Sequence, residues 1–339
     1  MRLFLVGFGV VGQAFVRLLD ERGGALYRAC GMAPRLVGVR DSGGAAVSER
    51  GLSPTELLVA KREHGTVAAV GGYGDTTTSV DDLIGESDAD ALIESTPSRL
   101  SAPQAAIDHI RFAFRSGKHV VTVNKAPLAV AMPALFELAR YNRVQFRFSG
   151  TVGGGTPMLA LARECARGDE ITGVRAILNG TTNFILWRMH ESGEAFDDAL
   201  AEAIRLGYAE TDPSADIDGI DAATKAVILS NWVLGRPATL DDVAVEGIRG
   251  IKRERIAAAA KDGRRVKLIA EIGERIAVGL REVPVGSPLN VPKNLNAMTV
   301  SMRSSGDVTL VGRGAGGDET ATAILRDVLD IWQTMGGQA

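Results

Sequence analysis

Short, continuous apolar runs recur through the first part of the chain. Leu3–Val6, Leu36–Val39, Ala91–Ile93 and His119–Val123 each read as a strand buried on both faces, as in a parallel sheet. Helical spacing follows the first of them as far as Leu19, and Lys61-Arg62 lie on a later helix-like segment. From about Arg143 the pattern changes. Val144–Phe148 alternates, Gly150–Pro157 is a glycine-rich loop that exposes backbone, and a helix runs on to about Ala166. Val174–Leu178 reads as a strand, Asn179–Asn183 as a turn whose side chains can hydrogen-bond, and 186–206 as helical. Ala257–Ala260 and Lys267–Ile272 mix helix and strand signals. Ile276–Val285 and Met298–Met302 read as strands. A second glycine-rich loop, Leu310–Gly317, opens a helix over Glu319–Thr334.

The first strand leads straight into Gly7-Phe8-Gly9-Val10-Val11-Gly12, and this into a helix. A strand, GxGxxG and a helix in that order predict a dinucleotide site. Gly7 makes the tight turn, Gly9 admits the pyrophosphate, and Gly12 lets the helix pack on the strand. The diphosphate charge then meets helix N-terminal amides. Two later strands end in Ser95-Thr96-Pro97-Ser98 and Asn124-Lys125-Ala126-Pro127, and strand ends of this kind line the ligand crevice of a doubly wound sheet.

The densest chemistry lies in LGYAETDPSADIDGIDAATK, residues 206–225. Asp212-Pro213-Ser214 reads as a turn. Asp218 reads as a helix N-cap with Asp221 in the capping-box position. Asp221 and Lys225, four apart, share a helix face. Glu210, Asp216 and Asp221 can therefore surround one ammonium, either that of Lys225 or that of a ligand. A lysine so placed is a candidate proton donor. The plainer alternative is an acidic solvated loop followed by an ordinary ion pair.

Composition narrows the classes. The chain has 339 residues, enough for a large core in two domains. A net charge of -3 gives no general attraction for nucleic acid or anionic membrane. The two cysteines, Cys30 and Cys165, lack CxxC spacing, which fits a reducing cytoplasm. Four isolated histidines show no ligand spacing. The N-terminus reads as a strand rather than a signal peptide, and no apolar run reaches the length of a membrane span.

GFGVVG, STPS, VVTVNKAPLA, NGTTNFI, the 206–225 stretch and GRGAGGDETA, in this order over nearly the whole chain, resemble homoserine dehydrogenase in its short form, without the C-terminal regulatory domain. The resemblance implies an α/β protein with a Rossmann dinucleotide-binding domain over residues 1–135. A central α+β substrate-binding and dimerisation domain would cover 136–305, and 306–339 would return to the nucleotide domain. It implies a cytoplasmic homodimer that interconverts L-homoserine and L-aspartate 4-semialdehyde in threonine, isoleucine and methionine biosynthesis. Lys225 matches the proton donor, with Lys125 assisting and Asp221 supporting. Glu210 matches the acid that binds the substrate ammonium, with Asp216, Asp221, Lys125 and Thr182 also at the substrate. Gly7, Phe8, Gly9, Val10, Val11, Gly12, Arg40, Lys61, Ser95, Thr96, Pro97, Gly207 and Gly314 match the cofactor site. One departure stands out. Ser149 stands where the family has a glutamate that helps hold sodium. The carbonyls of Val152, Gly154 and Thr156 remain as possible ligands, a site without its anion should hold a monovalent ion less well, and no metal is assigned.

The other enzyme readings are weaker. A related oxidoreductase could act on another amino-acid alcohol. A thioester-forming semialdehyde dehydrogenase needs a crevice cysteine, whereas Cys165 sits in an ordinary helix. A cofactor-binding sensor without chemistry would not need both Lys125 and Lys225. For the cofactor, Arg40-Asp41 offers both an arginine for a 2′-phosphate and an acid for a ribose diol, on opposite sides of the strand. Ser42 and Lys61 add donors, so NADP(H) is favoured, with NAD(H) as the alternative.

Overall fold

A computed structural model describes residues 1–337. It divides into two compact units. One comprises residues 1–151 and the segment from Gly316, and the other is Val152–Ala315.

The first unit is built in chain order from β1 (Arg2–Val6), α1 (Val10–Cys30), β2 (Arg35–Asp41), β3 (Gly44–Val47), α2 (Pro54–His64), β4 (Gly74–Asp75), α3 (Val80–Glu86), β5 (Ala91–Glu94), α4 (Gln104–Arg115), β6 (His119–Thr122), α5 (Lys125–Tyr141) and β7 (Phe146–Arg147). The sheet order is β4-β3-β2-β1-β5-β6-β7. Strands β2, β1, β5, β6 and β7 are parallel, as the apolar runs require, and Leu3, Phe4, Leu5, Leu92 and Ile93 are fully buried. The predicted loop at Gly43-Gly44 is instead a hairpin turn, from which β3 and then β4 add antiparallel strands at one edge. Helix α1 runs eleven residues beyond the predicted Leu19, ending at Gly31 in the left-handed region (φ 68°). The C-terminal helix, Gly317–Thr334, packs on α1: Ile324, Val328 and Ile331 share a core with Phe15 and Leu19, and Trp332 Nε1 donates to Cys30 O at 3.1 Å.

The second unit contains α6 (Met158–Ala166), β8 (Ile171–Ile177), α7 (Gly180–Ser192), α8 (Phe196–Arg205), α9 (Ser214–Ile217), α10 (Ile220–Val233), β9 (Val243–Val245), α11 (Arg253–Lys261), β10 (Arg264–Ile272), β11 (Ile276–Pro284), β12 (Leu295–Met302) and β13 (Gly306–Arg313). Its sheet runs β13-β12-β8-β10-β11-β9, antiparallel except where β9 joins β11. Three local expectations change. Asn179 is not part of a free turn but the N-cap of α7, its side chain accepting from Thr182 N. The helical stretch 186–206 is two helices, broken at Gly193 (φ 67°). Leu310–Arg313 is not loop but the end of β13, paired along β12.

Candidate active site

In the first unit the turn after β1 has the geometry that a dinucleotide needs. Gly7 has φ 101°, and a Cβ there would lie 2.5 Å from Ser95 backbone. A Cβ on Gly12 would lie 2.3 Å from Gly7 O, so the helix sits directly on the turn. Gly9 is the N-cap of α1 and has open space where a Cβ would go. Phe8 is buried, Val11 is partly buried, and Val10 is 74% exposed at the head of the helix. Such a bare N-terminus with clear backbone fits a diphosphate. Ser95 Oγ donates to Gly7 O at 2.7 Å, and Asn124 Nδ2 donates to Thr96 Oγ1 and Pro97 O, so the two strand-end loops are joined to the turn and to each other. Lys125 opens α5, its N–H donating to Ser98 Oγ at 2.9 Å.

The end of β2 sends Arg40 and Asp41 to different surroundings. Asp41 is 8% exposed and turned inward. It accepts from Lys61 Nζ (2.7 Å), Val67 N, Gly43 N and Thr66 Oγ1. Burial opposes its charge, but those four donors outweigh burial and hold its carboxyl below the usual range. Arg40 lies on the other side of the strand, partly exposed; its carbonyl accepts from Gly7 N at 2.9 Å, and its guanidinium has no hydrogen bond or ion pair among the described residues. Lys61 also donates to Gly65 O, which ties it to the end of α2.

In the second unit the acid-rich stretch separates into distinct jobs. Asp218 is not the cap of α10. The cap is Gly219, left-handed at φ 84°, and Asp218 instead makes a two-bonded pair with Arg249 (2.6 and 2.8 Å). A turn that must bend left-handed before the helix favours glycine over a side-chain cap. Asp212 accepts from Ser214 N, as the turn reading requires. Lys225 is 7% exposed, and its Nζ donates to Asp221 Oδ2 (2.7 Å) and to Leu178 O at the end of β8 (2.6 Å). Asn179 Nδ2 donates to Asp216 Oδ1 (2.6 Å) and to Asp221 Oδ2 (2.9 Å). One amide thus holds both acids. The Asp216 carboxyl is pushed up by burial and then by the Asp221 charge, against the Asn179 hydrogen bond.

Glu210 is exposed and makes no hydrogen bond or ion pair among the described residues. Gly207 is exposed and left-handed (φ 74°). Thr182 is 1% exposed and its hydroxyl donates to Asn179, so it braces the cap rather than facing outward. Gly314 packs on the amide of Asn296, 2.0 Å from where its Cβ would stand. Asn179 is the residue that sequence reasoning missed. Its place between an apolar strand and a helix was a cap signal, but its link to two acids over thirty residues away is purely tertiary.

Ser149 donates through N–H (2.8 Å) and Oγ (2.6 Å) to the buried Asp327 of the C-terminal helix, whose carboxyl burial pushes up to about 6. Its hydroxyl is engaged there, and among the described residues no group of three or more His, Cys, Asp or Glu is placed to hold a metal ion. No helix among them is long and apolar enough to cross a membrane.

The chain thus carries a dinucleotide-binding turn in one unit and a buried lysine-and-carboxylate cluster in the other, residue types that an oxidoreductase uses. Residues 7–149 match the family model "Homoserine dehydrogenase, NAD binding domain", and 157–329 match "Homoserine dehydrogenase". The chain belongs to the homoserine dehydrogenase family. It is 41% identical to the homoserine dehydrogenase of Methanocaldococcus jannaschii, over 98% of this chain and 99% of that one. It is 37% identical to an NAD(+)-dependent homoserine dehydrogenase of Pseudomonas canavaninivorans, covering 98% and 96%. A hyperthermophilic archaeal homoserine dehydrogenase solved in complex with NADPH superposes with a TM-score of 0.85 at 31% identity, covering 98% of both chains.

Proposed function

We propose that this enzyme interconverts L-homoserine and L-aspartate 4-semialdehyde with NADP(H) in preference to NAD(H), as a cytoplasmic homodimer serving threonine, isoleucine and methionine synthesis. The observation that carries this reading is Lys225: a buried ammonium fixed by Asp221 and Leu178 O, beside acids held by Asn179. A bound nicotinamide would supply or take the hydride. In the reducing direction Lys225 gives an Nζ proton to the oxygen of the growing alkoxide; the N–H bond breaks as O–H forms, leaving a neutral amine that solvent reprotonates. Two of its three N–H donors are engaged, so the third is available to substrate. In the oxidising direction the neutral amine takes the hydroxyl proton. Glu210 receives the substrate ammonium, Asp216 adds negative charge, and Lys125 assists. The turn at Gly7–Gly12 and the loop Ser95–Pro97 would hold the dinucleotide, and the family resemblance adds Gly207 and Gly314 to the cofactor residues. Oxidation of reduced cofactor on adding aspartate semialdehyde, followed by absorbance, tests the reading; a catalytically silent protein that still binds cofactor would replace it with a sensor.

The cofactor preference rests on Arg40. Asp41 already has Lys61 and three further donors, whereas Arg40 is uncommitted and can grip a 2′-phosphate with two N–H groups. The competing reading, NAD(H), has an NAD(+)-dependent relative in its favour. Measured kcat/KM for both cofactors should favour NADP(H), and Arg40→Ala should cut the NADP-to-NAD ratio about tenfold, the loss of a charge-assisted pair. An unchanged ratio would remove the clamp from the argument even if NADP(H) proved the better cofactor.

A further inference from the structure

Glu94 is the last residue of β5, fully buried between Val6 of β1 and Thr122 of β6. Among the described residues it has no ion pair. α4, which packs on β5, carries Asp108, His109, Arg111 and Arg115, and none of them is bonded to it. Lys125, the next charge beyond the β6 loop, donates through its amide to Ser98 Oγ, and no charge of its own is among the groups that shift Glu94. A buried carboxylate without a cation is costly, and burial pushes this one up to about 7 against its hydrogen bonds.

Those bonds have a definite direction. Glu94 Oε1 accepts from Thr96 N (3.1 Å) and from the Thr96 hydroxyl; Oε2 accepts from Thr122 Oγ1 (2.9 Å). A hydroxyl has one proton, so each threonine that donates to Glu94 can only accept elsewhere. Both accept from Asn124: Thr96 Oγ1 from Nδ2 (3.1 Å), Thr122 Oγ1 from the backbone N–H (3.1 Å). Asn124 Oδ1 then caps α5 at Ala126 N (3.0 Å), directly after Lys125. Every proton in the chain of bonds points toward Glu94. If Glu94 gained a proton, one oxygen would become a donor and a threonine hydroxyl would lose its acceptor.

We propose that Glu94 is a positioning residue of the dehydrogenase reaction: an ionised, buried carboxylate that orients Thr96 and Asn124, and through them the first turn of α5 bearing Lys125. It touches neither substrate nor cofactor. The inference rests on the proposed reaction, and an inactive wild-type enzyme would fail that reading, whereas the variants below fail only this one.

The test is the pH profile of kcat in the reducing direction, with thermal unfolding and cofactor affinity measured alongside. Wild type should show an acid limb near pH 7, with activity rising as Glu94 ionises. Glu94→Gln keeps the shape but places an N–H₂ where the network needs an acceptor. It should lower kcat by about tenfold or more and erase that limb, with any change in cofactor Kd through Thr96 smaller than the change in kcat. If Glu94→Gln does not fold, Thr122→Val decides: it removes one donor to the ionised form and should move the limb upward by about half to one pH unit. The proposal is overturned if wild type has no limb in this range, if Glu94→Gln retains the limb or a kcat within threefold of wild type, or if Thr122→Val leaves the limb in place.

Discussion

Lys225 and Lys267 are both buried in the second unit, near the start of α7, and they are held in different ways. Lys225 Nζ meets a carboxylate, Asp221, and a carbonyl. Lys267, 2% exposed on β10, meets only neutral oxygens: Asn183 Oδ1 at 2.9 Å and Val291 O at 2.7 Å. Burial, and then Arg265, push its ammonium down to about 8, with Glu191 acting weakly the other way. The same helix serves both lysines. Asn179, its cap, gathers the acids around the first, while Asn183, one turn on, accepts from the second and donates to the carbonyls of Val291, Lys293 and Leu295. Burial alone therefore does not mark a reactive lysine. What distinguishes Lys225 is a bonded acid, a second acid held beside it, and an exposed, uncommitted Glu210 in the same stretch of chain. Lys267 instead staples α7 and β10 to the segment before β12.

The strongest way to break this contrast is to remove Lys225. Lys225→Met should lower kcat by about 10²–10⁴-fold, the usual contribution of a positioned proton donor. Cofactor binding and circular dichroism should stay near wild type. More than a third of wild-type activity in the purified variant would end its assignment as the donor and leave the two lysines alike.

How much of that contrast the sequence carried is instructive. The Asp221–Lys225 pair was legible because both partners lie on one helix face, four residues apart. The strands of the nucleotide unit were legible because burial on both faces makes them continuously apolar. Asn179 and Lys267 were not. Asn179 reaches Asp221 across 42 positions, and Lys267 reaches Asn183 across 84, so no local period records either contact. Within RRVKLIAEI nothing separates Lys267 from the neighbouring exposed arginine Arg264. Asp218 misled for a related reason: the partner that claims it, Arg249, lies 31 residues away, and glycine took over the cap. Asp41 is the same case, since its inward turn depends on Thr66 and Val67.

A smaller effect sharpens the Lys225 side. Glu210→Gln removes an anion that nothing in the described chain neutralises, so the substrate ammonium should lose a charge-assisted bond of roughly 1.5–3 kcal/mol. The expected result is a KM for homoserine raised about tenfold or more, with a smaller change in kcat. Steady-state kinetics over a pH series checks it, and an unchanged KM would move the ammonium site to Asp216 and Asp221 alone.

The smallest effect on turnover belongs to the other lysine, and it should appear in stability instead. Lys267→Met keeps an apolar stem of similar length but strands Asn183 Oδ1, which costs about 1–3 kcal/mol for a buried unpaired acceptor, while Val291 O keeps its bond from Asn183 Nδ2. Against this stands the relief of a buried charge. The sign of the pH term is fixed. The folded ammonium titrates at about 8 and the unfolded one at 10.5. Between those values the unfolded chain binds more protons, so this group makes wild type more stable as pH rises through the window. It weighs against folding below about 8, where both states are charged. Lys267→Met has no such titration, so its Tm should track wild type less well at pH 10 than at pH 7.5: the variant's relative stability declines as pH rises. Thermal unfolding of both proteins across this range measures the difference, and kcat and KM at pH 7.5 should remain within about threefold, since no substrate-facing group is altered. A loss of turnover comparable to that of Lys225→Met, with Tm unchanged, would show that the neutral cage around Lys267 is itself part of the chemistry.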